Sequence, residues 1–265
     1  MQLKKIVKKI LPRKWWGTIV TVINSRATRV KTGRIKEMIK QYEEMLPRET
    51  LRYRKEYEWM IDESKSDAGG CGAYYWQDLW AASKIIKRRP EVHYDIGSRI
   101  DGFVAHLQAV EQNTILIDIR KMESTMPFVQ FYQADATSLD GIEDESVESI
   151  SALCSLEHFG LGRYGDPIDP DACFKAMKSI QRVVKKGGHA YIAVPIGAEH
   201  VEFNAHRIFF AQTIIDEFDQ MDLVDFQANT LGKNMQLEDQ PDIHQFDNER
   251  MNGANRFGLF EFVKK

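Results

Sequence analysis

The chain predicts an α/β fold: a mostly parallel seven-stranded sheet with an antiparallel edge, preceded by an N-terminal helical extension. Three observations carry this reading. From about residue 89 onward, short apolar stretches alternate with helical patterns, as in a parallel sheet covered by helices. Acidic residues Asp95, Asp118 and Asp135 fall at the ends of three successive predicted strands, the edge at which open α/β sheets bind ligands. The stretch from His93 to Gly102 reads as strand, tight turn and helix start around Asp95-Ile-Gly97. A helix start presents unpaired N–H groups and a partial positive charge.

Taken in order, residues 1–24 read as an amphipathic arm. Leu3, Ile6, Val7 and Ile10 share one face with lysines opposite, Pro12 interrupts, and Trp15 and Trp16 follow. Residues 34–65 read as a polar helix broken near Pro47, and 67–72 as a flexible turn. Residues 73–87, with Tyr74, Tyr75, Trp76, Leu79, Trp80, Ile85 and Ile86, form a strongly apolar helix that Pro90 ends. Strands are expected at about 92–97, 113–119, 127–133, 147–154, 189–194, 222–229 and 256–263, with helices near 102–111, 170–184 and 208–219. Lys185-Lys-Gly-Gly188 is a helix stop ahead of the fifth strand. The last two strands, joined by a long loop, suit an antiparallel edge. The organisation is an extension over 1–88 and an α/β domain over 89–265.

Hydrophobic residues make up 43% and charged residues 28% of the 265 positions, values of a soluble globular protein. Residues 1–40 hold twelve Lys/Arg and one Glu, net +11; with a whole-chain charge of −3, the other 225 residues carry −14. Such an arm suits an anionic membrane surface, or it docks on the domain or on a second subunit. Charges interrupt its apolar residues, so a signal peptide is not expected. Cys71, Cys154 and Cys173 form no CxxC pair. That points to a reducing, cytoplasmic compartment, with the arm able to hold the chain at the inner face of a membrane. The acidic domain lacks an aromatic-basic signature, which argues against nucleic acid. The sequence leaves the oligomeric state open.

The candidate cofactor residues are Asp95, Gly97, Arg99, Gly102, Asp118, Asp135 and Ala136. Gly97 permits φ > 0 or close approach of a ligand. An acid ending the second strand accepts from two ribose hydroxyls, and one ending the third from an adenine amine. The same three acids also suit turn caps. The glycine-rich segment Glu157 to Pro170 follows the fourth strand. In it, His158 has a pKa suited to accepting a hydroxyl proton near neutrality, and Arg163 suits a phosphate or carboxylate. Tyr164 and Asp166 join it as substrate candidates, whereas Asp169 with Pro170 reads as a helix start. After the fifth strand, Asn204, His206 and Arg207 face the same end of the sheet. His158, His200, His206 and Glu202 match no strong metal-ligand spacing, so no metal is expected.

These segments resemble the class I S-adenosylmethionine-dependent methyltransferases. Asp95-Ile-Gly97, Leu116-Ile-Asp118, Gln133-Ala-Asp135-Ala136, Ser149-Ile-Ser-Ala-Leu153 and Val184 to Pro195 follow that family's order. The resemblance implies a Rossmann-like methyltransferase fold and S-adenosylmethionine as cofactor. It implies transfer to a hydroxyl of a sugar or lipid-linked surface glycan, with His158 as base. The chain is more closely similar to the branch called domain of unknown function 268, through Asp95 to Phe103, Glu157 to Pro170, Val194 to Gly197 and Phe203 to Arg207. It departs from the methyltransferases at the first loop, where Arg99 and Asp101 stand at glycine positions. Arg99 either meets the methionine carboxylate of the cofactor, or pairs with Asp101 or Asp118 and fills the pocket. In the second case the domain has lost its cofactor and binds or processes a glycan or phosphorylated ligand.

Overall fold

The computed structural model describes residues 33–45, 52–55, 69–232, 234–250 and 256–265. The chain divides into two compact units, Met1–Gly69 and Gly70–Lys265. In the first, residues 33–44 are helical; the predicted arm over 1–24 lies outside the described residues. The second unit opens with helix α1 (Ala73–Arg88). The unit boundary therefore falls at 69/70 instead of 88/89. The reason is packing: Trp80, Ala81 and Ile85 of α1 are buried against Tyr191, Phe257 and Leu259 of the sheet. Each such large apolar side chain contributes about 1.5–3 kcal/mol on burial.

The strands are β1 (His93–Ile96), β2 (Thr114–Asp118), β3 (Val129–Gln133), β4 (Val147–Leu153) and β5 (Val184–Pro195). Next come a hairpin, β6 (His200–Glu202) with β7 (His206–Ile208), then β8 (Met221–Asn229), β9 (Leu237–Asp239) and β10 (Phe257–Lys264). The main sheet runs β3-β2-β1-β4-β5-β10-β8-β9. Its first five strands are parallel, and β10 is antiparallel to both β5 and β8. The expected seven strands and antiparallel edge are present. Short β9 adds an eighth strand beside β8.

Alternation along the strands splits the core. Ile117 and Ala152 face one layer, with helices α3 (Ala172–Val183) and α4 (Ala211–Glu217). Leu116 and Leu153 face the other, with α1 and the short α2 (Ala105–Gln108). The Lys185–Gly188 stop is absorbed into β5. The pairing jumps from Val147↔Val184 to Ser149↔His189, and Gly187 takes φ +72. A Cβ on Gly188 would lie 2.9 Å from the Lys185 carbonyl, so the tight backbone needs glycine there. Among the described residues no helix is long and apolar enough to cross a membrane.

Candidate active site

Reversal of strand order between β1 and β4 opens a crevice beyond their carboxyl ends. A cavity of about 780 Å³ lies there, within the ~300–1,000 Å³ usual for small-molecule and cofactor sites. Of the predicted residues, Gly97, Arg99, Asp118, Asp135, Ala136, His158, Arg163, Tyr164, Asp166 and His206 line it. Asp95, Gly102, Asn204 and Arg207 do not.

The β1 turn is built on a buried polar chain. Asp95 is fully buried and accepts from the Ser98 N–H (3.1 Å), the Ser98 hydroxyl (2.7 Å) and the Ser151 hydroxyl. Ser151 gives its only proton to Asp95, so it accepts from Nε2 of His93 at 2.9 Å. Nδ1 of His93 then accepts from Ser149 at 2.8 Å. Burial lowers the His93 pKa to about 3, keeping the ring neutral. Burial raises Asp95 to about 6, against the opposing Ser151 and Ser98 bonds. Asp95 is thus a tether for the turn and does not face the cavity. Gly97 takes φ +68. The turn leads into a wide π-type turn, Ile100–Val104, ahead of α2. Gly102 sits behind the wall, where a Cβ would lie 2.3 Å from Oδ2 of Asp78. Its role is to admit Asp78 from α1.

All three register acids cap their own turns. Beside Asp95, the Arg120 N–H donates to Oδ1 of Asp118 (2.8 Å) and the Thr137 N–H to Oδ1 of Asp135 (2.8 Å). Asp118 also receives the Arg120 side chain, Nε to Oδ1 at 2.9 Å and Nη2 to Oδ2 at 2.6 Å. The Arg120 guanidinium lies 4.4 Å from the Tyr164 ring centre. Arg99 pairs with Asp101 (2.9 Å), with 58% and 73% of those side chains exposed, so the pair stands at the rim.

After β4, a 3₁₀ turn (Leu156–His158) carries Glu157 and His158 into the cavity wall. Nδ1 of His158 lies 2.6 Å from the Ala205 carbonyl, which can only accept, so Nδ1 bears the proton and Nε2 the lone pair. Burial lowers this imidazole to about 4, opposed by the Ala205 bond. Glu157 is 2% exposed and its Oε2 has no hydrogen-bond partner. Burial raises its pKa to about 8. Nε2 of His158 and Oε1 of Glu157 are 3.8 Å apart.

The remaining predicted side chains serve the loop. Asp166 accepts from the backbone N–H groups of Gly160 (2.7 Å), Gly162 (3.3 Å) and Tyr164 (3.1 Å). Arg163 donates to the Ala205 carbonyl at 3.0 Å. Arg207, assigned to substrate from sequence, is 7% exposed and donates to the carbonyls of Glu157, Phe159 and Pro170. It clamps the loop because those carbonyls have no strand to bond. Asn204 is exposed in the β6–β7 hairpin, outside the cavity lining. His206 lies 3.0 Å from Glu202, and His200 3.6 Å from the same carboxylate. Among the described residues no three metal-ligating side chains gather. Asp169 bonds the Asp171 N–H and Lys175 at the head of α3, which begins two residues later than its signature suggests.

Sequence reasoning missed the contribution of α1. Tyr74, Gln77 and Asp78 line the cavity, as do Cys154 and Ser155 at the end of β4. Their only sequence signal was two polar residues inside an apolar helix.

Three solved structures similar to the chain are S-adenosylmethionine-related methyltransferases. The Burkholderia thailandensis 1,6-didemethyltoxoflavin-N1-methyltransferase, with bound S-adenosylhomocysteine, is 16% identical with a TM-score of 0.49, over 72% of this chain and 79% of that one. The Bradyrhizobium japonicum N-methyltransferase NodS, in complex with S-adenosylhomocysteine, is 12% identical with a TM-score of 0.47, over 73% and 88%. A Methanosarcina mazei methyltransferase is 15% identical with a TM-score of 0.47, over 68% and 96%. No curated protein matches the chain in sequence. The family model described as "Caenorhabditis protein of unknown function, DUF268" matches residues 104–256, more than half of the chain, and the chain belongs to that family.

Proposed function

We propose that the chain is an S-adenosylmethionine-dependent O-methyltransferase whose acceptor is a hydroxyl of a sugar or lipid-linked surface glycan. The observation that carries this reading is the crevice at the switch point. There the left-handed Gly97 turn and two strand-end acids, Asp118 and Asp135, line one cavity. These residues fit the cofactor. Gly97 admits the backbone close to a ligand, Asp118 and Asp135 accept from ribose and adenine, and the rim guanidinium of Arg99 suits a carboxylate. When bound, the cofactor supplies an electrophilic methyl group.

The chain's own residues hold and deprotonate the acceptor. His158 is neutral and locked in the Nδ1–H form, so Nε2 accepts a hydroxyl proton. Arg163 and Tyr164 flank the acceptor half, and the β6–β7 hairpin fixes the His158 ring through Ala205. The glycan and peripheral-membrane parts rest on the basic, Trp-bearing arm and on the sequence resemblance.

A second reading has two specific observations in its favour. Arg99 is already paired with Asp101 through Nε and Nη2. Arg120 already binds both oxygens of Asp118. If it is not displaced or shared, the domain takes a glycan or phosphorylated ligand without cofactor. Calorimetric titration with S-adenosylmethionine and S-adenosylhomocysteine tests the choice. Binding that Asp118→Ala removes supports the enzyme. Absence of binding to either ligand supports the second reading.

A further inference from the structure

Charge is zoned within the cavity. The guanidinium of Arg99 lies at the rim, Arg163 is exposed, and Arg120 is held by Asp118. The deep wall is made by α1 and the end of β4, and it carries the buried carboxyls of Asp78 and Glu157, 7% and 2% exposed. Among the described residues no lysine or arginine side chain forms an ion pair with either. The groups facing Glu157 are few. The Cys154 thiol contacts it and is also 2.7 Å from Oε1 of Gln77. Tyr74 interacts with it from α1, and Asp78 acts on the Cys154 thiol between them in the wall. His158 lies 3.8 Å away, Arg163 acts on it at a distance, and Arg207 reaches only its backbone carbonyl. Oε2 of Glu157 and the hydroxyl of Ser155, both at the cavity wall, have no partner. Buried polar atoms of this kind are rare in folded proteins, and water, an ion or a ligand usually completes them.

We propose that this deep wall receives the cationic part of the ligand, and that Glu157 releases its proton as the cation arrives. The inference rests on the cofactor reading above and extends it to discrimination between a sulfonium and its neutral thioether product. Burial keeps Glu157 in its acid form near neutrality, with a pKa of about 8. A cation within ~4–6 Å lowers a carboxyl by about 1–3 units. By linkage, the cationic ligand then binds more tightly as pH rises, up to about 10- to 1,000-fold across that window. A neutral ligand gains nothing. The ionised carboxylate, 3.8 Å from Nε2 of His158, also makes that ring a better proton acceptor only when the site is loaded.

Calorimetry on the full chain, in buffers of different ionisation enthalpy, counts the protons exchanged. At about pH 7 the wild type should release up to about one more proton than Glu157→Gln on binding S-adenosylmethionine. The two proteins should not differ with S-adenosylhomocysteine. From about pH 6 to about 8.5 the preference for the sulfonium should grow about 7- to 70-fold more in the wild type than in the variant. The amine of the ligand titrates alike against both proteins, so the difference isolates Glu157. The amide mimics the protonated carboxyl, and a thermal melt checks that the variant folds. If it does not, the sulfonium-specific proton release of the wild type decides alone. Equal proton exchange for both ligands, or a sulfonium-specific release that survives Glu157→Gln, overturns the inference and leaves the cofactor reading standing. If neither ligand binds, the cofactor reading fails and this inference falls with it.

Discussion

Replacing Asp166 by alanine separates a loop tether from a ligand contact. Its carboxylate accepts three backbone N–H groups, from Gly160 at 2.7 Å, Tyr164 at 3.1 Å and Gly162 at 3.3 Å. Hydrogen bonds to a charged group are worth about 1.5–3 kcal/mol each. The side chain is half-buried and the longest bond is weak, so two effective bonds at the lower bound give a loss of about 3 kcal/mol. For a domain of this size that is roughly 6–12 °C in Tm. Asp166→Asn should fall between, since the amide keeps one acceptor and loses the charge. Thermal melts followed by tryptophan fluorescence measure the effect, and limited proteolysis should show new cleavage between residues 159 and 166. A variant that melts within about 1 °C of the wild type but loses ligand binding would refute the tether. It would return Asp166 to the substrate role its sequence position suggested.

Three further outcomes are expected. Asp118→Ala should abolish binding of S-adenosylhomocysteine in calorimetry while the variant still melts cooperatively, at a cost of about 1.5–3 kcal/mol for the turn-capping bond from the Arg120 N–H; unchanged affinity sinks the ribose assignment. Deleting residues 1–24 should release the protein from anionic vesicles, and salt should weaken binding of the full chain; a full-length protein that never sediments with such vesicles makes the arm a packing element instead. Glu157 should also set a pH dependence of stability. Its folded pKa of about 8 lies above the ordinary 4.5, so the folded state holds an extra proton between those values. Stability from this group is present below about 4.5 and lost as pH rises through about 8. Urea midpoints of Glu157→Gln should therefore gain on the wild type as pH climbs through that window, and parallel curves would show that the carboxyl is not desolvated.

The centre of the sheet was legible because a strand buried on both faces reads as an apolar run, as in Ile115-Leu-Ile117 of β2 and Ala190-Tyr-Ile-Ala-Val194 of β5, and the strands between were placed by their turns. Helix α1 was legible as a helix but not as part of the domain. Periodicity shows an apolar face, whereas the partners of that face lie far along the chain. Trp80 donates to Asp225, 145 residues away, and Trp76 to the Met235 carbonyl, 159 away. Asp78 and Gln77 thereby entered the site unannounced. The three strand-end acids look alike in sequence, yet Asp95 turns inward to Ser151 while Asp118 and Asp135 line the cavity. A one-residue difference in strand register exchanges those faces, and no local signal fixes it.

The same limit governs the choice of proton acceptor. Intrinsic pKa values favour His158 over its neighbour Glu157. Burial reverses their order, lowering the imidazole to about 4 and raising the carboxyl to about 8. Residue identity supplies a reference value, and the fold supplies the desolvation that moves it. In this site the displacement exceeds the original gap between the two groups. Either can therefore be assigned a role near neutral pH only with the charge of the ligand taken into account. A sulfonium beside the wall lowers the carboxyl and narrows that reversal, and its neutral product lets the reversal return. On this argument the chemistry of the pair belongs to the loaded site.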